Sequence, residues 1–329
     1  MAGKSTGGKR KKIFVTGGTG RLGTMLLERL VSKGYEVRTL VVNAEKIRNL
    51  PGGTIPFIGN LTDIHTLEDA CEGVDTVFHL ASIITHDHEK SSDIMRVNVE
   101  GTRKLLDVCK RAGVKKIIYT STVDVYGKIR RGILTEESEP RPSDVYGYSK
   151  MLAEKEIASS GIDYTIFRIA AIYGPSFATS FFKLFRIVKE GKAVIIGGGK
   201  NHLSLIHIDD VVDALASSIG NPACRNRVYN LSDGEIYTQE FLLNLAAEML
   251  HVKKVDRHVS SIIVNMLARK RNLDSDELRF LTSDRVLDIS RVREDLDFSP
   301  KVDIRVGGGE LVDMFLRHEP RLKAVPANM

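Results

Sequence analysis

Short apolar runs rich in β-branched residues recur through the first half of the chain, at residues 13–16, 36–42, 76–80, 116–120 and 164–169. They are continuous instead of alternating with polar positions, which is the pattern of strands buried on both faces of a parallel sheet. Between them lie stretches with apolar residues at helical spacing, such as 25–31 and 102–112. Strand and helix patterns that alternate in this way predict βαβ units, and hence an α/β fold with a doubly wound parallel sheet of the Rossmann type.

The turn between the first strand and the first helix reads Thr16-Gly-Gly-Thr-Gly-Arg-Leu-Gly23. Glycines at Gly17, Gly20 and Gly23 allow backbone N–H groups to approach a pyrophosphate at the positive end of a helix, so the loop is a candidate dinucleotide site. Its spacing is GxxGxxG. Gly3-Lys-Ser-Thr6 has the letters of a P-loop ending, but no strand precedes it and there is no room for the upstream glycine.

A second string, Tyr146-x-x-x-Lys150, places a phenol and an ammonium on one helix face. A tyrosine that moves protons near neutrality needs its pKa lowered from about 10 by roughly 3 units, or about 4 kcal/mol, and a neighbouring cation supplies such a bias.

The order of these strings resembles the extended short-chain dehydrogenase/reductases, the NAD-dependent epimerase/dehydratase group. Further landmarks are Gly59-Asn60-Leu61, His79-Leu80-Ala81-Ser82, Asn98-Val-Glu-Gly-Thr102, Tyr119 to Gly127, Phe167 to Pro175 and Ser204 to Asp210. The resemblance spans residues 12–315. It implies that Tyr146 is the general acid/base, that Lys150 lowers its pKa and holds the nicotinamide ribose, and that Thr122 hydrogen-bonds the substrate oxygen, with Ser121 as the backup. Asn98 would support the lysine; read by itself, it is equally a helix N-cap. The cofactor would contact Gly17, Thr19, Gly20, Arg21, Leu22, Gly23, Asn43, Asn60, Leu61, Leu80, Ala81, Ser82 and Lys150. In oxidation, Tyr146 as phenolate would take the hydroxyl proton while hydride passes to the nicotinamide.

NAD selection normally places a carboxylate at the end of the second strand, whereas the 2′-phosphate of NADP calls for cations. The strand here ends Leu40-Val-Val-Asn43, and Arg21 with Lys46 or Arg48 can meet a phosphate. The expectation is therefore NADP. Asn60 stands where the family usually has an aspartate for adenine.

The substrate is less well defined. Residues 168–171 and 200–204 lack the asparagine and arginine that nucleotide-sugar enzymes of this family use for the diphosphate, and residues 282–300 look more like the 3β-hydroxysteroid dehydrogenase and dihydroflavonol reductase branch. The expected activity is alcohol/ketone interconversion on a small, apolar substrate. The alternatives are a nucleotide-sugar epimerase or dehydratase, and a dinucleotide-binding regulator without turnover.

Length and composition fit this frame. The chain has 329 residues, 42% hydrophobic content and 28 glycines, which suits a buried sheet plus a second region. The expected divisions are a basic tail at 1–12, a dinucleotide-binding domain at 13–167 and a substrate-binding region at 168–329, from which segments 205–210 and 228–231 return. The net charge of +6 is concentrated partly in the tail, so no specific nucleic-acid partner is expected. Residues 260–271 could form a basic amphipathic helix, more simply a pocket wall than a membrane contact. Cys71, Cys109 and Cys224 are widely spaced. They suit reduced thiols in a cytoplasm, and no metal site is expected. The Asp209-Asp210 pair suggests an aspartate cap on a helix at 211–218, and His79 reads as a packing residue. Similar proteins often form homodimers through the helices that bear Asn98 and Tyr146.

Overall fold

The computed structural model describes residues 10–85, 88–264 and 276–322. Seven strands form one parallel sheet: β1 (Lys12–Thr16), β2 (Glu36–Val41), β3 (Thr54–Ile58), β4 (Thr76–His79), β5 (Lys116–Thr122), β6 (Asp163–Ile169) and β7 (Arg227–Leu231). Their order across the sheet is 3-2-1-4-5-6-7. The order reverses between β1 and β4, and a doubly wound sheet opens its ligand crevice at the carboxyl ends of the strands at such a switch point.

The continuous apolar runs are explained by burial: β1 and β4 to β6 are almost wholly buried, while β3, at the edge, is partly exposed and carries Pro56. A proline there blunts an open edge. On one face, helices α1 (Arg21–Ser32) and Ile208–Ser217 pack together through Leu26, Leu27, Leu30, Val211 and Leu215. Each fully buried leucine contributes roughly 1.5–3 kcal/mol of burial free energy. Helices α2 (Ile64–Cys71), α3 (Gly101–Arg111) and α4 (Val145–Ala158) cover the other face with Leu67, Ala70, Leu105, Leu106, Ala153 and Ile157. Cys71 and Cys109 are free thiols in that core.

A third core lies in the second half of the chain, between helices Ala178–Lys189, Gln239–Met249 and Ile304–Leu322. Arg227–Leu231 enters the large sheet as its edge strand, whereas Leu205–His207 pairs with Ala171–Tyr173 outside it. Ile129–Leu134 pairs in parallel with the late strand Asp284–Leu287, a long-range match with no local signal in the sequence.

One expectation about a helix start is corrected. The helix expected at 211–218 begins at Ile208, and its cap is His207, whose Nδ1 accepts the Asp209 N–H at 3.3 Å. Asp209 is exposed in the first turn, and the buried Asp210 accepts the backbone N–H groups of Lys301 and Val302. Most of the basic tail and residues 265–271 lie outside the described residues. No helix among the described residues is long and apolar enough to cross a membrane.

Candidate active site

The glycine-rich loop runs from the end of β1 to α1, and its backbone fits leave no space for side chains. Gly17 has φ of +76°, and a Cβ there would stand 2.7 Å from Ala81 N and 2.9 Å from Leu80 C. The loop is thus pressed against the backbone that leaves β4. Gly18, which sequence reasoning passed over, packs on Thr39 of β2, and Gly23 on the Gly17 carbonyl. Gly20 caps α1 without a side-chain hydrogen bond, and the first turn holds no acidic residue. A helix start of this kind, reached by close backbone, suits the pyrophosphate of a dinucleotide.

Around this loop, Arg21 lies with its guanidinium carbon 5.5 Å from the Phe177 ring centroid. Asn43, beyond the end of β2, accepts the Glu45 N–H at 2.9 Å and caps the turn Ala44–Asn49. Asn60 is exposed and accepts from Thr62 N at 2.8 Å, while Leu61 is buried beside Gly101. Thr19, Ala81 and Ser82 are half-buried in the loops that follow β1 and β4, and Leu22 is half-buried in the first turn of α1.

Tyr146 and Lys150 sit on α4, whose start is fixed by Asp144: its carboxylate accepts the Gly147 N–H at 2.8 Å. Both side chains are buried, at 8% and 2% exposure. The Lys150 ammonium lies 4.2 Å from the centroid of the Tyr119 ring on β5. Burial lowers its pKa to about 7, against the pull of Glu154 one turn on, which raises it. Thr122 ends β5 and caps the turn Val123–Tyr126, accepting the Asp124 N–H at 3.2 Å and donating to Asp124 Oδ2 at 3.1 Å. That turn is pressed against α4, since a Cβ on Gly147 would stand 2.6 Å from Asp124 O. Thr122 and Tyr146 therefore belong to two packed segments.

Asn98 is not a helix N-cap. It lies inside a helical run, in a π-turn at Arg96–Glu100 that separates Ser91–Met95 from α3. Its Oδ1 accepts Ile83 N at 2.8 Å, and its Nδ2 donates to Ile83 O at 3.1 Å and to Ser149 Oγ at 3.0 Å. Single π-turns place a side chain off the regular helix face, and here the amide fastens the loop after β4 to α4.

Ser121 is engaged elsewhere: its hydroxyl donates to Glu154 Oε1 at 2.5 Å. Glu154 is paired with Arg168, whose Nη1 also reaches the Tyr126 hydroxyl at 2.9 Å. Tyr126 in turn donates to Asn230 Oδ1 at 2.7 Å. Sequence reasoning missed this buried network. Only Glu154 had a local signal, four residues after Lys150 on the same helix face.

Segment 276–287 forms a further wall. Arg279 pairs with Asp144, and Arg285 Nη1 donates to Asp124 Oδ1 at 2.8 Å, to Val123 O at 3.0 Å and to Gly127 O at 3.1 Å. His202 shares a hydrogen with Asp284 at 2.9 Å. Beside Arg279, Phe280 lines a narrow apolar cleft with Phe181, Phe185, Leu245, Met249 and Leu311.

Comparison with known proteins identifies the family and the fold. Residues 13–232 match the model of the NAD-dependent epimerase/dehydratase family. The chain is 29% identical over 325 residues to UDP-glucose 4-epimerase of Vibrio cholerae, covering 94% of this chain and 97% of that protein. It is 33% identical over 217 residues to the decarboxylating sterol-4-alpha-carboxylate 3-dehydrogenase of Bos taurus, covering 62% of this chain and 59% of that one. Among solved structures, UDP-glucose 4-epimerase of Thermotoga maritima with UDP-glucose superposes with a TM-score of 0.77 at 24% identity, covering 94% and 99% of the two chains.

Proposed function

Because the chain belongs to the NAD-dependent epimerase/dehydratase family, we propose that it interconverts an alcohol and a ketone on a small apolar substrate, with Tyr146 as general acid/base. The observation that carries this reading is the buried ammonium of Lys150, one helical turn from Tyr146 and lying on the Tyr119 face. A cation in that place favours the phenolate, which is the form that takes a proton from a substrate alcohol. In reduction the phenol returns the proton to the substrate oxygen. Thr122 steadies that oxygen by turning its hydroxyl from Asp124 Oδ2 to the substrate, and Asn98 holds the Ile83 backbone and α4 in register.

The glycine-rich loop fits a nicotinamide dinucleotide, since Gly17 and Gly18 bring backbone where any Cβ would collide. When bound, that group supplies the hydride acceptor or donor. Gly17, Thr19, Gly20, Arg21, Leu22 and Gly23 would hold its pyrophosphate, Asn43, Asn60 and Leu61 its adenosine half, and Leu80, Ala81, Ser82 and Lys150 its nicotinamide half. NADP is favoured over NAD because the exposed turn after β2 offers Lys46 and Arg48, with Arg21 across the loop, and no carboxylate ends the strand.

An apolar substrate is favoured by the second half of the chain. Among the described residues, Arg279 is matched there by Asp144 and Arg285 by Asp124, so neither guanidinium is left for a substrate diphosphate. The competing reading, a nucleotide-sugar epimerase, is favoured by the near full-length match to the Vibrio cholerae protein. Fluorescence titration with NADPH and NADH, followed by panels of apolar ketones and of UDP-sugars, separates them. Net turnover of a ketone with NADPH supports the first reading; retention of NAD with UDP-sugar isomerisation replaces it.

A further inference from the structure

Three side chains stand in a row across the sheet. Thr16 of β1 is in register with His79 of β4, and His79 with Tyr119 of β5. Parallel strands in register project these residues from one face, directly before the glycine-rich loop and the Leu80-Ala81 backbone it packs against. The hydrogens in the row are fixed by its chemistry. The Thr102 hydroxyl donates to the Asn98 carbonyl at 2.6 Å, so at 2.9 Å from His79 Nε2 it must accept. Nε2 therefore carries the proton, and bare Nδ1 accepts the Thr16 hydroxyl at 2.7 Å. Thr16 Oγ1 itself accepts the Ala81 N–H at 3.3 Å.

Burial, reinforced by the Lys150 charge, drives the His79 pKa down to about 3, so the imidazole is neutral at any working pH. Its ring lies 5.3 Å from that of Tyr119, whose face carries the Lys150 ammonium. From Asn98 the bonds continue through Ser149 Oγ to the Tyr146 carbonyl at 2.7 Å. Among the described residues, the titratable groups that face Lys150 are His79, Tyr119, Glu154 and, one turn earlier on the same helix face, Tyr146.

We propose that Thr16, His79 and Tyr119 form a positioning row that fixes the Lys150 ammonium relative to the glycine-rich loop, so that dinucleotide binding and the Tyr146–Lys150 pair are set by one rigid unit. The proposal rests on the reading of Lys150 as the site lysine. None of the three residues acts on substrate; each acts through another group.

Two substitutions divide His79. In His79→Asn the amide oxygen replaces Nδ1 and keeps the Thr16 bond, whereas in His79→Gln the amide nitrogen replaces Nε2 and keeps only Thr102. The row predicts that His79→Gln weakens NADPH or NADH binding about tenfold or more, the free-energy scale of one buried hydrogen bond, and that His79→Asn stays within about threefold. For Tyr119 the readout is Lys150 titration, followed by NMR of lysine labelled at Cε. The wild-type midpoint is expected near 7, where burial places it; Tyr119→Phe is predicted to keep it, and Tyr119→Leu to lower it by about one pH unit through loss of the ring face.

If Tyr119→Leu does not fold, Thr16→Val replaces it and is predicted to weaken dinucleotide binding about tenfold without moving the midpoint. Equal binding by both His79 variants, or an unmoved midpoint in folded Tyr119→Leu, overturns the row. Neither readout needs turnover. Failure of the alcohol/ketone reading therefore leaves the row standing, and failure of the row leaves that reading intact.

Discussion

Arg168 grips Glu154 through Nη2 at 2.7 Å and through Nε at 3.1 and 3.2 Å, and both side chains are 7% exposed. Since Glu154 also takes the Ser121 hydroxyl, the pair ties α4 to β5 and β6 directly behind Thr122.

Breaking that pair leaves an uncompensated buried charge. Arg168→Met is expected to cost about 3–5 kcal/mol in urea unfolding, and the double change Arg168→Met with Glu154→Leu to recover most of it. A double variant less stable than the single one would mean that the network stabilises through its full set of hydrogen bonds, not through charge balance.

Thr122 and Ser121 are adjacent hydroxyls with different tasks. Thr122→Val removes the donor proposed for the substrate oxygen and should lower kcat about 100-fold, with a stability loss of about 1 kcal/mol for the lost turn cap. Ser121→Ala should do the reverse, costing about 1–3 kcal/mol because Glu154 loses a partner while turnover per folded molecule stays near wild type. Steady-state kinetics with matched melting curves decide between them; the opposite pattern would transfer the substrate contact to Ser121.

Asp233 is buried beside the Tyr237 hydroxyl, which donates to it at 2.8 Å, and burial raises its pKa from 3.8 to about 6. The folded protein therefore holds this proton more tightly than the unfolded chain, so the group lowers stability as pH rises from about 4 to about 6. The full effect, about 3 kcal/mol above that window, follows from two pKa units at 1.36 kcal/mol each. Asp233→Asn keeps an acceptor without the charge, and its melting temperature relative to wild type should climb between pH 4 and pH 7. A difference that is flat in pH would show that Asp233 does not titrate there.

What the sequence disclosed was local. The glycine spacing and the Tyr146–Lys150 interval each lie within a single turn or helix, and the buried strands are spelled out by continuous apolar runs, so fold and candidate site were legible together. What it hid was relational. Arg168 meets Tyr126 across 42 residues, and Tyr126 meets Asn230 across 104, contacts set by strand order and invisible to periodicity. Asn98 looked like a cap because asparagine disfavours helix interiors, but the π-turn gives its amide partners on both the Ile83 loop and α4. His207, not Asp209, caps its helix because the helix begins at Ile208 instead of Val211, which puts Asp209 in the first turn and leaves the buried Asp210 to hold the Lys301 and Val302 N–H groups.

The most direct test of the central claim is the turnover of Tyr146→Phe, measured beside wild type on whichever carbonyl or alcohol the wild type accepts, with NADPH affinity taken from the same samples. A fall of 10² to 10⁴ in kcat with unchanged dinucleotide binding is predicted, the range for a lost general acid/base. Turnover at the wild-type level would contradict the account.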